Sequence, residues 1–190
     1  MGGAVAAGFA AKYPALCKSL SLLSPIGIKF KALTQEKLLN RKYIGEVLMF
    51  RQRNVLHETQ ESDFFDVDAG TNHRYLVDKQ ISMMKWQIKH TPGYLGALLS
   101  TYRYFPLRGM EELYTAIGRH PRKTLVIWGD HDNVCNYRKC IKIMEESFVN
   151  GTIVDVLDCG HNLVAEKFED IMKELLSFNK DVFDTSEADL

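Results

Sequence analysis

Two residues of this 190-residue chain have the types and the setting for proton-transfer chemistry. Asp132 lies in Trp128-Gly129-Asp130-His131-Asp132, and His161 in Cys159-Gly160-His161-Asn162. Each sits in a short loop after an apolar run that reads as a strand. A carboxylate beside an imidazole fixes the ring tautomer and stabilises the imidazolium once the ring has taken a proton. Such a pair needs a weak nucleophile to activate, most often a serine hydroxyl. The rival acids are Asp130, a loop charge, and Asp158, a turn residue. His131 reads as a variable loop residue and Trp128 as packing at a strand end. Cys135 and Cys159 read as small buried apolar side chains rather than nucleophiles.

The elements that must position this pair are set by periodicity. From residue 119 onward, apolar runs alternate with helical patterns. Residues 124–128 read as a strand, 137–148 as a helix with Cys140, Ile141, Met144 and Phe148 on one side, and 152–157 as a second strand. Residues 164–178 read as a closing helix on Val164, Phe168, Ile171, Leu175 and Phe178. Near the N-terminus, residues 2–13 read as a helix rich in Gly and Ala that packs closely on a neighbour, and 19–23 as a buried strand. The fold class is therefore α/β, with a parallel sheet covered on both faces. In such sheets chemistry gathers at the C-terminal ends of strands, where Asp132 and His161 both stand.

Between about 31 and 118 the pattern is long, aromatic and helical in period. Leu38, Ile44, Val47, Leu48, Phe50 and Arg51 predict one amphipathic helix; 75–89 and 94–104 predict two more. Asp63, Asp66, Asp68 and Gly70 lack the glycine and terminal glutamate spacing of a calcium loop and read as an acidic connector. The aromatics Phe64, Phe65, Tyr75, Trp86, Tyr94, Tyr102, Tyr104 and Phe105 read as helix packing, with some lining an apolar pocket. Arg51, Arg53, Arg103 and Arg108 read as solvated charges or local salt bridges. The polar stretch 179–190 is expected to be disordered.

Composition narrows the function classes. Twenty-four basic residues face twenty-four acidic ones, so nothing favours nucleic acid or an anionic membrane surface as partner. The four cysteines form no CxxC pair and fit reduced thiols, which points to the cytoplasm. The apolar start, residues 1–11, lacks a basic n-region, no segment is long enough to span a bilayer, and the sequon at Asn150 carries no weight without secretion. No metal or other cofactor is expected.

Three motifs in order resemble the α/β-hydrolase superfamily. Met1-Gly2-Gly3-Ala4 is similar to the tail of its nucleophile elbow, commonly Gly-His-Ser-Met-Gly-Gly. Trp128-Gly129-Asp130-His131-Asp132 is similar to its acid loop, and Cys159-Gly160-His161-Asn162 to its Gly-His loop. Residues 93–103 look like a cap segment of lipase- and esterase-like members. The resemblance implies four parts. Residues 1–30 are the elbow helix and following strand, 31–118 a helical cap, 119–178 the C-terminal core and 179–190 the acidic tail.

It also implies roles. Asp132 would orient His161, His161 would act as the base, Gly2 and Gly3 would shape the elbow, and the Met1 backbone N–H would donate to the oxyanion. The nucleophile, expected to be serine, would stand just before Met1, with Met1 an internal residue of a longer product. The chain alone is then expected to be inactive, and the complete protein to cleave a small-molecule carboxylic ester, lipid or monoacylglycerol-like esters included. Two alternatives remain. One is a hydrolase with an Asp nucleophile or one that cleaves a carbon–carbon bond. The other is a non-catalytic short form that binds an apolar ligand or a partner, with oligomerisation covering its exposed strand edge.

Overall fold

Alanines three residues apart give the first helix a side flat enough for close packing. In the computed structural model, which describes residues 1–28, 36–65, 72–148 and 151–187, helix α1 (Gly2–Lys12) buries Ala4, Ala7 and Ala10. Gly3 belongs to the same contact: a Cβ there would lie 2.9 Å from the Pro25 Cβ. Val5 and Phe9, on the other side of α1, are exposed.

A turn at Pro14–Leu16 leads into strand β1 (Ser19–Leu23). Strand β2 (Lys123–Gly129) and strand β3 (Gly151–Val156) complete a parallel sheet in the order β1-β2-β3. The register pairs Leu23 with Ile127, and Gly129 with Val156. Central β2 is buried from Thr124 to Gly129, and its side chains alternate between two cores. Val126 and Trp128 join Leu20, Leu22 and the α1 alanines on one face. Leu125 and Ile127 join Leu163 and Ile171 on the other.

The long connection between β1 and β2 carries helices α2 (Glu36–Leu39), α3 (Ile44–Gln52), α4 (Asn72–His90), α5 (Tyr94–Tyr104) and α6 (Glu111–Gly118), with a 3-10 segment at Leu56–Asp63. After β2 comes α7 (Tyr137–Ser147), and after β3 come α8 (Leu163–Glu166) and α9 (Phe168–Glu187). Asn136 caps α7 by accepting the Lys139 N–H at 3.2 Å.

Several expectations need correction. The single helix expected over 38–51 is two helices, separated by a turn in which Tyr43 has φ +67°. Ile44, Val47 and Phe50 face outward, while α3 turns Gly45 and Met49 inward. Gly45 is needed there because a Cβ would fall on the Leu39 carbonyl. The helical insertion expected to run to residue 118 stops earlier. Helix α6 packs on α1 and α7, and Tyr114 and Ile117 lie in the core with Ala4 and Val126. The closing helix is split at Lys167, whose φ of −134° and ψ of 45° leave the helical region. The tail expected to be disordered is helical to Glu187. Its sequence prolongs the apolar spacing of Leu175 and Phe178 through Val182. The readings at Asp66, Asp68, Gly70 and Asn150 lie outside the described residues. No helix among the described residues is long and apolar enough to cross a membrane.

Candidate active site

The exit loops of β2 and β3 are built to lie against each other. His131 N–H donates to the Cys159 carbonyl at 3.1 Å. Gly129 allows this approach, because a Cβ would overlap the carbonyl oxygens of Cys159 and Gly160. The β2 loop closes on itself through Asp132 N–H to the Gly129 carbonyl at 3.2 Å. Asp158, at the turn of the β3 loop, takes φ +51°, in the left-handed region.

This juxtaposition brings Asp132 and His161 together. Oδ2 of Asp132 lies 2.9 Å from Nδ1 of His161. The other carboxylate oxygen, Oδ1, accepts the backbone N–H groups of Val134 at 2.9 Å and Cys135 at 2.8 Å. The Asp132 side chain is fully buried and that of His161 is 25% exposed. The carboxylate is thus held by two donors besides the imidazole, and it fixes the ring with Nε2 directed to other work. Asp130 and Asp158, the rival acids, flank His131 instead, at 3.6 and 3.7 Å.

A second layer comes from the β1–β2 connection and was not foreseen. The Asp63 carbonyl accepts the N–H of His161 at 2.8 Å and of Asn162 at 3.2 Å. Phe65 N–H donates to Oε2 of Glu166 at 2.9 Å. The same buried carboxylate accepts Gly160 N–H at 3.1 and 3.2 Å from its two oxygens. The Phe65 ring stacks on His131, centroids 3.6 Å apart and planes 1° apart. Residues 63–65 therefore lie as a strap across both exit loops. Gly160 makes room for it: a Cβ would be 2.8 Å from Asp63 O and Phe65 N.

The electrostatics reflect this enclosure. Burial raises the Asp63 carboxyl to about 6, with the nearby Asp132 charge adding to the rise and His161 opposing it. Burial also raises Tyr102, and the Asp63 charge adds to that. Cys159 is raised to about 12, mainly by burial, and Cys135 is raised further for the same first reason. Neither thiol is poised as a nucleophile. Donor atoms of Asp132, Cys135 and His161 lie within 4.8 Å of one another. The Asp132–His161 hydrogen bond already engages two of those donors, and the Cys135 thiol resists ionisation, so the group is better suited to proton transfer than to a metal.

The other residues singled out in the sequence play supporting parts. Met1 is the N-cap of α1, and its carbonyl accepts Ala4 N–H at 3.0 Å. Gly2 has open space around it, whereas Gly3 does not. Trp128 is fully buried and donates from Nε1 to the Cys135 carbonyl at 3.2 Å, which steadies the β2 exit loop. Arg103 bonds Glu46 at 2.7 Å and the Leu39 carbonyl at 2.8 Å, tying α5 to α2 and α3. Arg108 pairs with Glu36. Ser24, which the sequence did not mark, stands at the β1 exit with φ +37° and a buried hydroxyl lacking a partner among the described residues.

No family model matches the chain. The mouse monoacylglycerol lipase ABHD6 is 25% identical over 193 residues, covering 100% of this chain and 56% of the mouse protein. The cattle protein of the same name is 26% identical, covering 99% of this chain and 55% of its own length. The chain thus spans about half the length of the curated relatives it matches. Among solved structures, the α/β-hydrolase MGS-M2 from a Medee basin deep-sea metagenome gives a TM-score of 0.72 at 17% identity. It covers 94% of this chain and 62% of its own. A thermophilic esterase from Thermogutta terrifontis gives 0.71 at 20% identity, covering 95% of this chain and 62% of its own.

Proposed function

This chain belongs to the α/β-hydrolase superfamily, matching the C-terminal portion of its relatives, and from that premise we propose that it supplies the acid and base of a Ser-Asp-His ester hydrolase. The observation that carries the reading is the 2.9 Å contact between Asp132 Oδ2 and His161 Nδ1 at two adjoining strand exits. In the complete protein a serine directly before Met1 attacks the ester carbonyl. Nε2 of His161 takes the hydroxyl proton and passes it to the leaving alkoxide; it then does the same for the water that cleaves the acyl-serine. Asp132 holds the tautomer and stabilises the imidazolium. The backbone amide of residue 1 donates to the oxyanion, and Gly3 lets the start of α1 pack closely against Pro25 beneath it.

On this reading the helices between β1 and α6 form a cap, and residues 63–65 are where it meets the catalytic loops. The substrate is a carboxylic ester, with a monoacylglycerol-like lipid the first to try, because the ABHD6 relatives carry that name. The setting is the cytoplasm, in keeping with four free thiols. The test is ester and monoacylglycerol hydrolysis by the complete protein. His161→Ala is expected to lower kcat by about 10³- to 10⁴-fold or more; a variant that keeps most of its rate would refute the assignment.

A second reading has its own support. Exposed Val5 and Phe9 on α1 form an apolar surface that a partner could cover, and β1 is an edge strand of the described sheet. On that reading the short chain is a binding form without catalysis. Sedimentation of the purified chain distinguishes the two: a discrete, folded oligomer or complex favours it, and an aggregated sample counts against it.

A further inference from the structure

Away from the Asp132–His161 pair, a surface cavity of about 480 Å³ opens between α3, the start of the 3-10 segment, α4 and α5. Its polar lining is Arg53, Asn54, His57, Lys85 and Lys89, over an apolar floor that includes Ile88. None of the described residues lining it is acidic. That is unusual in a chain whose acidic and basic residues balance. Lys85 and Lys89 are one helical turn apart and share a face of α4.

Three other cations of this region have carboxylate partners: Arg74 with Asp78, Arg103 with Glu46, and Arg108 with Glu36. Arg53, Lys85 and Lys89 have none among the described residues. The Arg53 guanidinium is nonetheless held in place, donating to the Phe50 carbonyl at 2.7 Å and lying 3.9 Å over the Phe50 ring. Nδ1 of His57 is buried and has no hydrogen-bond partner among the described residues. Three cations with no carboxylate partner among the described residues line one cavity, and such a lining suits an anion.

We propose that this cavity binds a phosphate-type anion. Lysine ammonium groups supply point charge, the arginine fork matches a pair of phosphate oxygens, and the Asn54 amide can add a hydrogen bond. The volume leaves room for more than a bare phosphate, so a phosphoester headgroup fits the same chemistry. The cavity is separate from the catalytic pair. His57 and Asp63 lie near opposite ends of one 3-10 segment, about 12 Å apart at roughly 2 Å per residue. The proposal does not rest on the hydrolase reading.

Inorganic phosphate, titrated by calorimetry into the purified protein at constant ionic strength in chloride, tests it. Saturable binding is expected, weakened about tenfold or more in the double variant Lys85→Ala/Lys89→Ala. Both lysines are exposed on α4, so the variant keeps the fold, and an unchanged thermal transition verifies that. Flotation with phosphatidylcholine vesicles, with and without phosphatidic acid, identifies the source. Phosphate binding accompanied by lysine-dependent vesicle binding means a lipid headgroup, and phosphate binding without it means a soluble phosphate compound. The absence of saturable phosphate binding overturns the proposal, whatever the vesicles do. So does equal affinity in the double variant.

Discussion

The Glu166 carboxylate and the Phe65 backbone N–H, 101 positions apart in the chain, meet at 2.9 Å. Because Glu166 also accepts Gly160 N–H, one buried side chain joins the loop of His161 to the helical connection that lies over it. Glu166→Ala leaves two enclosed amides without an acceptor and is expected to cost on the order of 3 kcal/mol in stability. Glu166→Gln keeps one oxygen able to serve both donors and is expected to cost less than half as much. Urea unfolding midpoints of the two variants decide this; equal losses would mean that packing, and not the hydrogen bonds, holds the strap.

Asp132→Asn separates the structural task of this carboxylate from its proposed chemical one. The amide oxygen can still accept from Val134 and Cys135, so the unfolding midpoint is expected to stay close to that of the parent. The amide nitrogen then faces Nδ1 of His161 and selects the ring tautomer with its hydrogen on Nε2, which cannot act as a base. In the complete protein kcat is expected to fall by about 10⁴-fold. A variant with normal stability and normal turnover would remove Asp132 from the mechanism.

Strand exits were the part of this site most legible in the sequence. Residues 124–128 and 152–157 announce themselves as strands by short apolar, β-branched runs, the second interrupted only by Asp155, and a parallel sheet places their exit loops at one end of the fold. The observed strands agree within a residue at each end. Helix α1 was legible for a related reason, since alanines at 4, 7 and 10 can serve only close packing. The strap was not legible. Nothing in the types or spacing of Asp63, Phe65 and Glu166 marks residues that meet only through tertiary structure. Helix α3 misled because apolar residues occur on both of its sides. Periodicity weighted Ile44, Val47 and Phe50, whereas the close approach of Leu39 required the Gly45 side to face in. The Tyr43 turn was invisible for the same kind of reason: a left-handed tyrosine is imposed by its surroundings and not by its own preference.

The raised Asp63 carboxyl makes a pH prediction. Its folded value, about 6, lies above the ordinary 3.8, so between roughly pH 4 and 6 the folded protein binds more protons than the unfolded chain. The stability this group contributes is present below that window and lost as pH rises through about 6; above it the contribution is flat. Asp63→Asn removes the dependence while leaving the backbone carbonyl that His161 and Asn162 use. Relative to the parent, the variant is expected to gain about 1–2 kcal/mol between pH 4 and pH 7, after allowance for partial exposure. Paired urea titrations at the two pH values measure it, and a parallel response in parent and variant would place the carboxyl in solvent.

Two glycines give opposite predictions from the same chemical change. At Gly129 an added methyl group overlaps the carbonyl oxygens of Cys159 and Gly160, both backbone atoms in the loop that carries His161. Neither can rotate away as a side chain would, so relief requires parting the two exit loops and losing the His131–Cys159 hydrogen bond. Gly129→Ala is expected to cost about 2–3 kcal/mol and to lengthen the Asp132–His161 contact. Gly2, in the first turn of α1, has nothing within 4 Å of the same methyl position. Gly2→Ala is therefore expected to be neutral, or to stabilise by up to about 1 kcal/mol through the helix preference of alanine. Thermal unfolding of the pair, with the His161 ring followed by NMR, checks both. If Gly129→Ala proved as mild as Gly2→Ala, the two exit loops would not be in the close contact on which the placement of Asp132 against His161 depends.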